Sequence, residues 1–309
     1  MFFEMLRIRM IEERIADLYP RQQMRCPVHL SIGQEAVAVG VCASLGRDDY
    51  VLSGHRSHSH YLAKGGNLNC MMAELYGKET GCTHGKGGSM HLVDLEAGFL
   101  GATPIVASTI PIGVGAAMGL AMQDRHNVVA VFFGEAATEE GVFHESVNFA
   151  VLKNLGVIFV CENNLYSVYS PLSVRQPPNR RISDLVRGYG LDSSAADGND
   201  VEEVCGLAAV AVERARRGGG PTFLEFATYR WREHCGPNYD NDLGYRTKAE
   251  FEDWKKQCPL DRMQSRLRLG QTDVESMKTK ITAELDCAVE FAEKSPFPDA
   301  DQLMKDVYA

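Results

Sequence analysis

No stretch of this 309-residue chain stays apolar for long enough to cross a membrane, and its opening residues do not read as a signal peptide. Cysteine pairs of the C-x-x-C kind are missing, which removes the usual signature of a zinc ribbon or a dithiol redox centre. The nine cysteines present (Cys26, Cys42, Cys70, Cys82, Cys161, Cys205, Cys235, Cys258 and Cys287) are odd in number and scattered. They read as reduced thiols, not a disulfide framework, and point to a cytoplasmic or organelle-matrix setting. Positive charge is also in short supply: 32 Lys and Arg stand against 41 Asp and Glu, a net −9, which argues against nucleic acid as the main partner. Internal repeats and low-complexity linkers are lacking, so the simplest division is a single domain over 1–309 with a charged helical tail over about 248–309.

What the sequence does contain is a pair of apolar runs that end in the same kind of chemistry. Val128–Phe133 leads into Gly134-Glu135-Ala136-Ala137-Thr138, and Val157–Cys161 leads into Glu162-Asn163-Asn164. Between them Thr138 suits an N-cap, and Glu139 and Glu140 suit a first turn where the helix dipole favours acid. Val142, Phe143, Val147, Ala150 and Val151 recur on one helical face. The pattern predicts a βαβ unit whose right-handed crossover sets both strand ends on one sheet edge, where open α/β sheets bind ligands. Glu135 and Asn164 then face one site. A carboxylate and an amide beside small residues and a helix N-terminus suit a diphosphate bridged by a hard cation such as Mg²⁺. The same residues also suit a plain helix cap at Glu135 and a turn at Asn163-Asn164.

Elsewhere, Met5, Ile8, Ile11, Ile15 and Leu18 predict an amphipathic opening helix, interrupted by Glu4, Glu12 and Glu13 and ending near Pro20. Ser31-x-x-Gln34 resembles a capping box for a helix that stops at Gly46. Tyr50–Ser53 suits a short strand leading into Gly54-His55-Arg56-Ser57-His58-Ser59-His60. Residues 77–104, rich in glycine and without periodicity, predict an ordered loop over the sheet edge, of a length that is usually functional. Gly113, Gly115, Ala116, Ala117 and Gly119 form a small-residue helix after Pro111, suited to close packing against another backbone, and the proline- and arginine-rich residues 167–181 suit a mobile lid. Asp200-x-x-Glu203 opens a helix stopped by Gly218-Gly219-Gly220-Pro221, and Thr222–Thr228 is a further strand.

Three motifs invite other readings. Gly113-x-Gly115-x-x-x-Gly119 imitates a dinucleotide fingerprint, but no strand directly precedes it, and Pro104 and Pro111 interrupt the approach. The Gly81–Gly87 run falls one residue short of a Walker loop and has Gly87 where a hydroxyl would hold Mg²⁺. His55, His58 and His60 lack a supporting carboxylate or cysteine for zinc, and beside Arg56 they read more simply as an anion site. His126 and His144 read as scattered core histidines.

With these residues in place, the chain resembles, along nearly its whole length, the alpha subunit of the dehydrogenase component of 2-oxo acid dehydrogenase complexes. These are thiamine diphosphate enzymes acting on pyruvate, acetoin or branched-chain oxo acids. The likeness is carried by His29-Leu30 with Gly33-Gln34-Glu35, by His55-Arg56, by Gly85-Lys86-Gly87-Gly88-Ser89-Met90-His91, by Ile105-Val106, by Pro111–Gly115 and by the two strand ends. Those ends match the family's thiamine fingerprint, Gly-Asp-Gly followed by Asn-Asn; here Gly134-Glu135-Ala136 and Asn163-Asn164 stand with residues 137–162 between them.

The resemblance implies an α/β thiamine diphosphate-binding fold, a mainly parallel sheet flanked by helices with helical N- and C-terminal extensions. It implies Mg²⁺ held by Glu135, Asn164 and the carbonyl of Tyr166. Arg56 with His55, and the amides of Ala136 and Ala137, would hold the diphosphate; Pro104 and Val106 would contact the aminopyrimidine; His29 and His234 would reach the reacting carbon. It also implies a beta subunit in an α₂β₂ heterotetramer, which supplies the glutamate for the ring N1′. A 2-oxo acid would be decarboxylated and its acyl group passed to a lipoyl-bearing acyltransferase. Two departures bear on this. Glu135 replaces an aspartate, and the family's His-Gly-His-Ser stretch is Arg232-Glu233-His234-Cys235, followed by an altered loop over 236–242. They leave open a thiamine-dependent decarboxylase or carboligase with a non-lipoyl acceptor, and a non-catalytic paralogue.

Overall fold

The structure, a computed structural model, describes residues 1–305; the last four positions of the predicted tail lie outside the described residues. The chain runs through α1 (Phe2–Leu18), α2 (Glu35–Cys42), β1 (Tyr50–Ser53), α3 (His58–Ala63), α4 (Leu68–Leu75) and β2 (Phe99–Ala102). Next come α5 (Thr109–Met122), β3 (Val129–Gly134), α6 (Gly141–Leu152), β4 (Val157–Asn163), a small hairpin of β5 (Tyr166–Ser167) and β6 (Ser170–Pro171), and α7 (Leu172–Arg175). It ends with α8 (Ile182–Arg187), β7 (Asp192–Asp197), α9 (Val201–Arg216), β8 (Thr222–Ala227), α10 (Lys248–Lys255), α11 (Pro259–Leu267) and α12 (Gln271–Lys294).

Six strands form one sheet in the order β2-β1-β3-β4-β8-β7, every pair parallel, as an α/β thiamine diphosphate-binding fold requires. Helices cover both faces, which is why β3 and β4 read as unbroken apolar runs and not as alternating ones. Ala130, Phe132, Ile158 and Val160 pack toward α1, α2, α4, α9 and α12. Val129, Val131, Phe133, Val157 and Phe159 pack toward α5 and α6. The crossover through α6 makes β3 and β4 immediate neighbours, with Gly134 opposite Glu162, so the two motif-bearing ends meet at one edge.

Several local expectations change. Residues 135–139 coil into a 3₁₀ turn and α6 starts only at Gly141, so Thr138 is not its N-cap; the buried Thr138 hydroxyl instead donates to the Glu135 carbonyl at 2.7 Å. Ser31 does not cap α2, whose N-cap residue is Gln34 and which stops at Cys42; the Ser31 amide is drawn to Glu12 instead. Residues 77–104 are not all loop, because Phe99–Ala102 adds β2 to the sheet beside β1. Pro111 lies within α5, not before it, in the first turn where its missing N–H costs no hydrogen bond. Strand β7 has a polar sequence and no expectation matched it. His126 is exposed and His144 half-buried against Tyr189, so neither is a core histidine. The Asp200 side chain accepts from the amides of Glu202 and Glu203, and α9 begins there as expected.

Candidate active site

The carboxyl ends of β1, β3 and β4 open into a cavity of about 210 Å³, and every residue singled out from the sequence lines it: His29, His55, Arg56, Pro104, Val106, Glu135, Ala136, Ala137, Asn164, Tyr166 and His234. They arrive on separate pieces of chain. His55 and Arg56 follow β1, Pro104 and Val106 follow β2, Glu135 to Ala137 form the turn after β3, and Asn164 and Tyr166 follow β4. Pairing in parallel is what brings four strand ends to the same edge.

Arg56 is the electrostatic centre of the floor. Its guanidinium is buried and donates to the carbonyls of Leu30 at 2.5 Å and His234 at 3.3 Å, with no carboxylate partner among the described residues. Burial, then the Arg230 cation, lowers its pKa to about 10. A buried cation without a counter-ion is costly, so an anion is the group that this floor lacks, and a diphosphate fits it. His29, His55 and His234 surround it, with ring centroids 4.7, 4.9 and 5.3 Å apart pairwise. Burial first, and Arg56 second, push these imidazoles down, His29 to about 2, His234 to about 3 and His55 to about 4. All three are neutral at physiological pH, and each offers a ring nitrogen as a hydrogen-bond acceptor to a ligand. The Nδ1 of His29 is buried without a hydrogen bond.

The opposite wall is acidic. Glu135 is buried, which raises its pKa against the opposing pull of Arg175, whose guanidinium donates to it. Asn164 donates to the side chain of Gln34 at 3.2 Å and accepts from the Tyr166 amide at 3.2 Å. Leu165 and Val168 take left-handed backbone conformations (φ of 72° and 55°) on either side of Tyr166. For a β-branched valine that conformation is strained by about 1–3 kcal/mol, a departure concentrated where the chain turns over the cavity. A carboxylate, an amide oxygen and a nearby carbonyl are the hard oxygen donors that Mg²⁺ takes. Ala136 has no positive φ, so the turn dispenses with the glycine of the family fingerprint.

Four further residues belong to the site: Glu162 and Arg175, unassigned in the sequence, and His60 and Gln34, read there as part of an anion cluster and of a capping box. Glu162 pairs with His60, 3.2 Å apart, and His60 in turn lies 2.8 Å from the Ser53 hydroxyl and stacks on Phe132. One oxygen of Glu162 and the Nε2 of His60 are buried without hydrogen bonds. A signal for Glu162 was available: alternate residues of a strand share a face, so Glu162 must point as Asn164 does, whereas Asn163 points away and donates to Glu225 at 2.9 Å. Gln34, read as half of a capping box, instead orients Asn164. Arg175 reaches Glu135 from 40 residues along the chain, and no local pattern encodes that contact.

A buried scaffold fixes these loops. Glu12 on α1 accepts from the Ser31 amide and lies 2.5 Å from Nδ1 of His58, whose Nε2 lies 2.7 Å from the Ser89 hydroxyl. One carboxylate thus ties the loop of His29 and the loop of Arg56 to α1. His58 and His60 turn to different partners, so the histidines of 55–60 do not converge on one point; His55 meets His29 and His234 instead. Gly33, at φ +99°, leaves no room for a Cβ, which would stand 2.5 Å from the Tyr229 carbonyl. The lid candidate over 167–181 is tethered by Arg175, and buried Asp240 ties down the altered 236–242 loop through Arg230 and Arg246.

Comparison with known proteins agrees in extent. The protein family described as Dehydrogenase E1 component matches residues 3–301. The alpha subunit of acetoin:2,6-dichlorophenolindophenol oxidoreductase from Bacillus subtilis is 39% identical over 313 residues, covering 100% of this chain and 92% of its own. The pyruvate dehydrogenase E1 component alpha subunits of Zymomonas mobilis and Porphyra purpurea are 38% and 37% identical, covering 98% and 100% of this chain and 86% and 92% of their own.

Proposed function

The chain belongs to the dehydrogenase E1 component family as an alpha subunit, and from that premise we propose that its cavity holds thiamine diphosphate and Mg²⁺ for decarboxylation of a 2-oxo acid. The observation that carries this reading is Arg56, a buried guanidinium with no carboxylate partner among the described residues, beside a wall of hard oxygen donors. Arg56, with His55 and the amides of Ala136 and Ala137, would hold the diphosphate. Glu135, Asn164 and the Tyr166 carbonyl would hold the metal. Pro104 and Val106 would meet the aminopyrimidine from the backbone. Bound there, the cofactor would supply a carbon nucleophile and an electron sink for loss of CO₂. His29 and His234, kept neutral by burial and by Arg56, would face the substrate oxygens as hydrogen-bonding groups that position the reacting centre.

The beta subunit of an α₂β₂ heterotetramer completes this reading, with a lipoyl-bearing acyltransferase as acyl acceptor and the cytoplasm as location. Among the described residues no helix is long and apolar enough to cross a membrane, and all nine cysteines are free. A second reading keeps the cofactor and changes the acceptor to a non-lipoyl one. It is favoured by the Arg232–Asp242 segment, where an ion-pair network on Asp240 fixes a loop unlike the family's. Calorimetric titration with thiamine diphosphate and Mg²⁺, the beta partner present, tests the core proposal. Arg56→Ala should weaken binding by about 1.5–3 kcal/mol, the worth of a charge-assisted hydrogen bond, whereas His234→Ala should keep affinity and lose turnover. An Arg56→Ala enzyme with unchanged affinity would overturn the diphosphate assignment.

A further inference from the structure

We propose that Arg175 sets the affinity of this site for divalent cations by competing for a metal ligand. Its guanidinium holds Glu135 while the cation is absent, and gives that carboxylate up by withdrawing onto Glu139. The proposal rests on the metal assignment above and goes beyond it.

The geometry is that of one fork across two carboxylates. Nη2 donates to Glu135, Nη1 donates to Glu139 at 2.5 Å, and Nε donates to the Ser170 carbonyl at 3.2 Å. Gln176 donates to the same Glu139 oxygen at 2.9 Å. Loss of Glu135 therefore leaves the guanidinium with two of its three anchors. The two acids differ in setting: the Glu135 side chain is 2% exposed and the Glu139 side chain 28%. Water shares the outer pair, so Glu139 can carry the guanidinium alone, whereas the ionised inner carboxylate is stabilised only by a cation beside it.

Charge decides between exchange and replacement. Two carboxylates and one guanidinium leave this wall at a net −1, which would repel a diphosphate. The guanidinium consequently does not stand in for the metal. A dication that takes Glu135 while Arg175 stays on Glu139 turns the wall to net +1 and makes it a partner for an anion. The contact also links the metal turn to the strap over residues 166–176, because the hairpin that supplies the Tyr166 carbonyl ends in α7, which supplies the competitor.

The test uses Mn²⁺ alone as the probe, counted as free ion by electron paramagnetic resonance, on the full chain assembled with its partner subunit and without thiamine diphosphate. Arg175→Gln should bind Mn²⁺ about fivefold or more tightly than wild type, the scale of a partly solvated ion pair. Arg175→Lys keeps the charge but cannot fork across both acids, so it should also tighten binding, by a smaller factor. Unchanged affinity in both variants would overturn the proposal. So would tightening confined to Arg175→Gln and abolished by salt, since charge at a distance would then suffice. Wild type that takes up no Mn²⁺ even with thiamine diphosphate present would overturn the metal assignment itself; wild type that does, with indifferent variants, overturns only the role of Arg175.

Discussion

Glu135 carries one methylene more than the aspartate of the family fingerprint, which lengthens its reach by about 1.5 Å. Mg²⁺ tolerates little departure from octahedral bonds of about 2.1 Å, so in the proposed metal shell the extra length would have to be taken up by the backbone, which runs as a tight 3₁₀ turn over Glu135–Glu139. Glu135→Ala should therefore abolish Mg²⁺-dependent binding of thiamine diphosphate, while Glu135→Asp should retain part of it. Cofactor affinity measured against Mg²⁺ concentration checks this, and a Glu135→Ala protein that titrates like wild type would remove the residue from the metal shell. The histidines around Arg56 make a second residue-scale prediction. Their native pKa values, at about 2, 3 and 4, lie below the unfolded value of about 6.5, so the unfolded chain binds protons first as pH falls. Their contribution to stability is whole above about pH 6.5 and is lost progressively as pH drops through that value and on to the folded values of about 4, 3 and 2. Urea midpoints of the cofactor-free protein should fall over this window, and His55→Asn should flatten the fall; an unchanged slope in the variant would contradict the burial argument.

At the scale of elements, α5 shows how one sequence pattern serves two purposes. Gly113 faces the sheet, where a Cβ would stand 2.3 Å from a methyl of Val131, whereas Gly115 and Gly119 face open space. The small-residue run is thus half a requirement of the core and half an outward surface. Gly113→Ala should destabilise the chain by about 1–3 kcal/mol through overpacking. Gly115→Ala should be neutral or stabilising by up to about 1 kcal/mol, because alanine is the better helix former. Chemical unfolding of both variants gives the comparison, and equal effects would mean that α5 sits differently on β3. If the outer glycines serve a subunit contact, Gly119→Leu should fold normally and fail to assemble with the beta partner, which size-exclusion chromatography of the mixture reads directly.

For the whole molecule, large apolar side chains left in water gather around that surface. Ile105 precedes α5, Ile112 and Met122 lie on it, and Leu152 ends the neighbouring α6, all more than half exposed. Ile105 lines the cavity, and exposed apolar side chains strung along a helix from there suit a subunit interface. The two carboxylates that line the cavity have other places, Glu135 in the proposed metal shell and Glu162 beside His60, so the glutamate for the aminopyrimidine is left to the partner in the proposed function. The purified chain should accordingly catalyse no decarboxylation of any 2-oxo acid, and turnover should appear only with the beta partner. Robust activity of a verified single-chain preparation would refute the shared site.

Much of the arrangement was legible in the linear chain, and the residues show why. Strands β3 and β4 bear long apolar runs because both sheet faces are buried, and the chemistry at their ends follows at once in sequence. The strands that escaped notice, β2 and β7, are the two edges of the sheet, where one side meets no partner strand and the sequence need not be apolar: glycine in one, serine and aspartate in the other. Sequence order placed Glu135 and Asn164 at one sheet edge, since parallel topology leaves few ways to arrange the strand ends, whereas Arg56, His29 and His234 joined them only through the family resemblance. Only the tertiary structure decided what each side chain faces. It put Gln34 on Asn164, Glu12 under two loops and Arg175 across Glu135 and Glu139, contacts between residues far apart in the chain, for which distance in space, not local pattern, sets the energy.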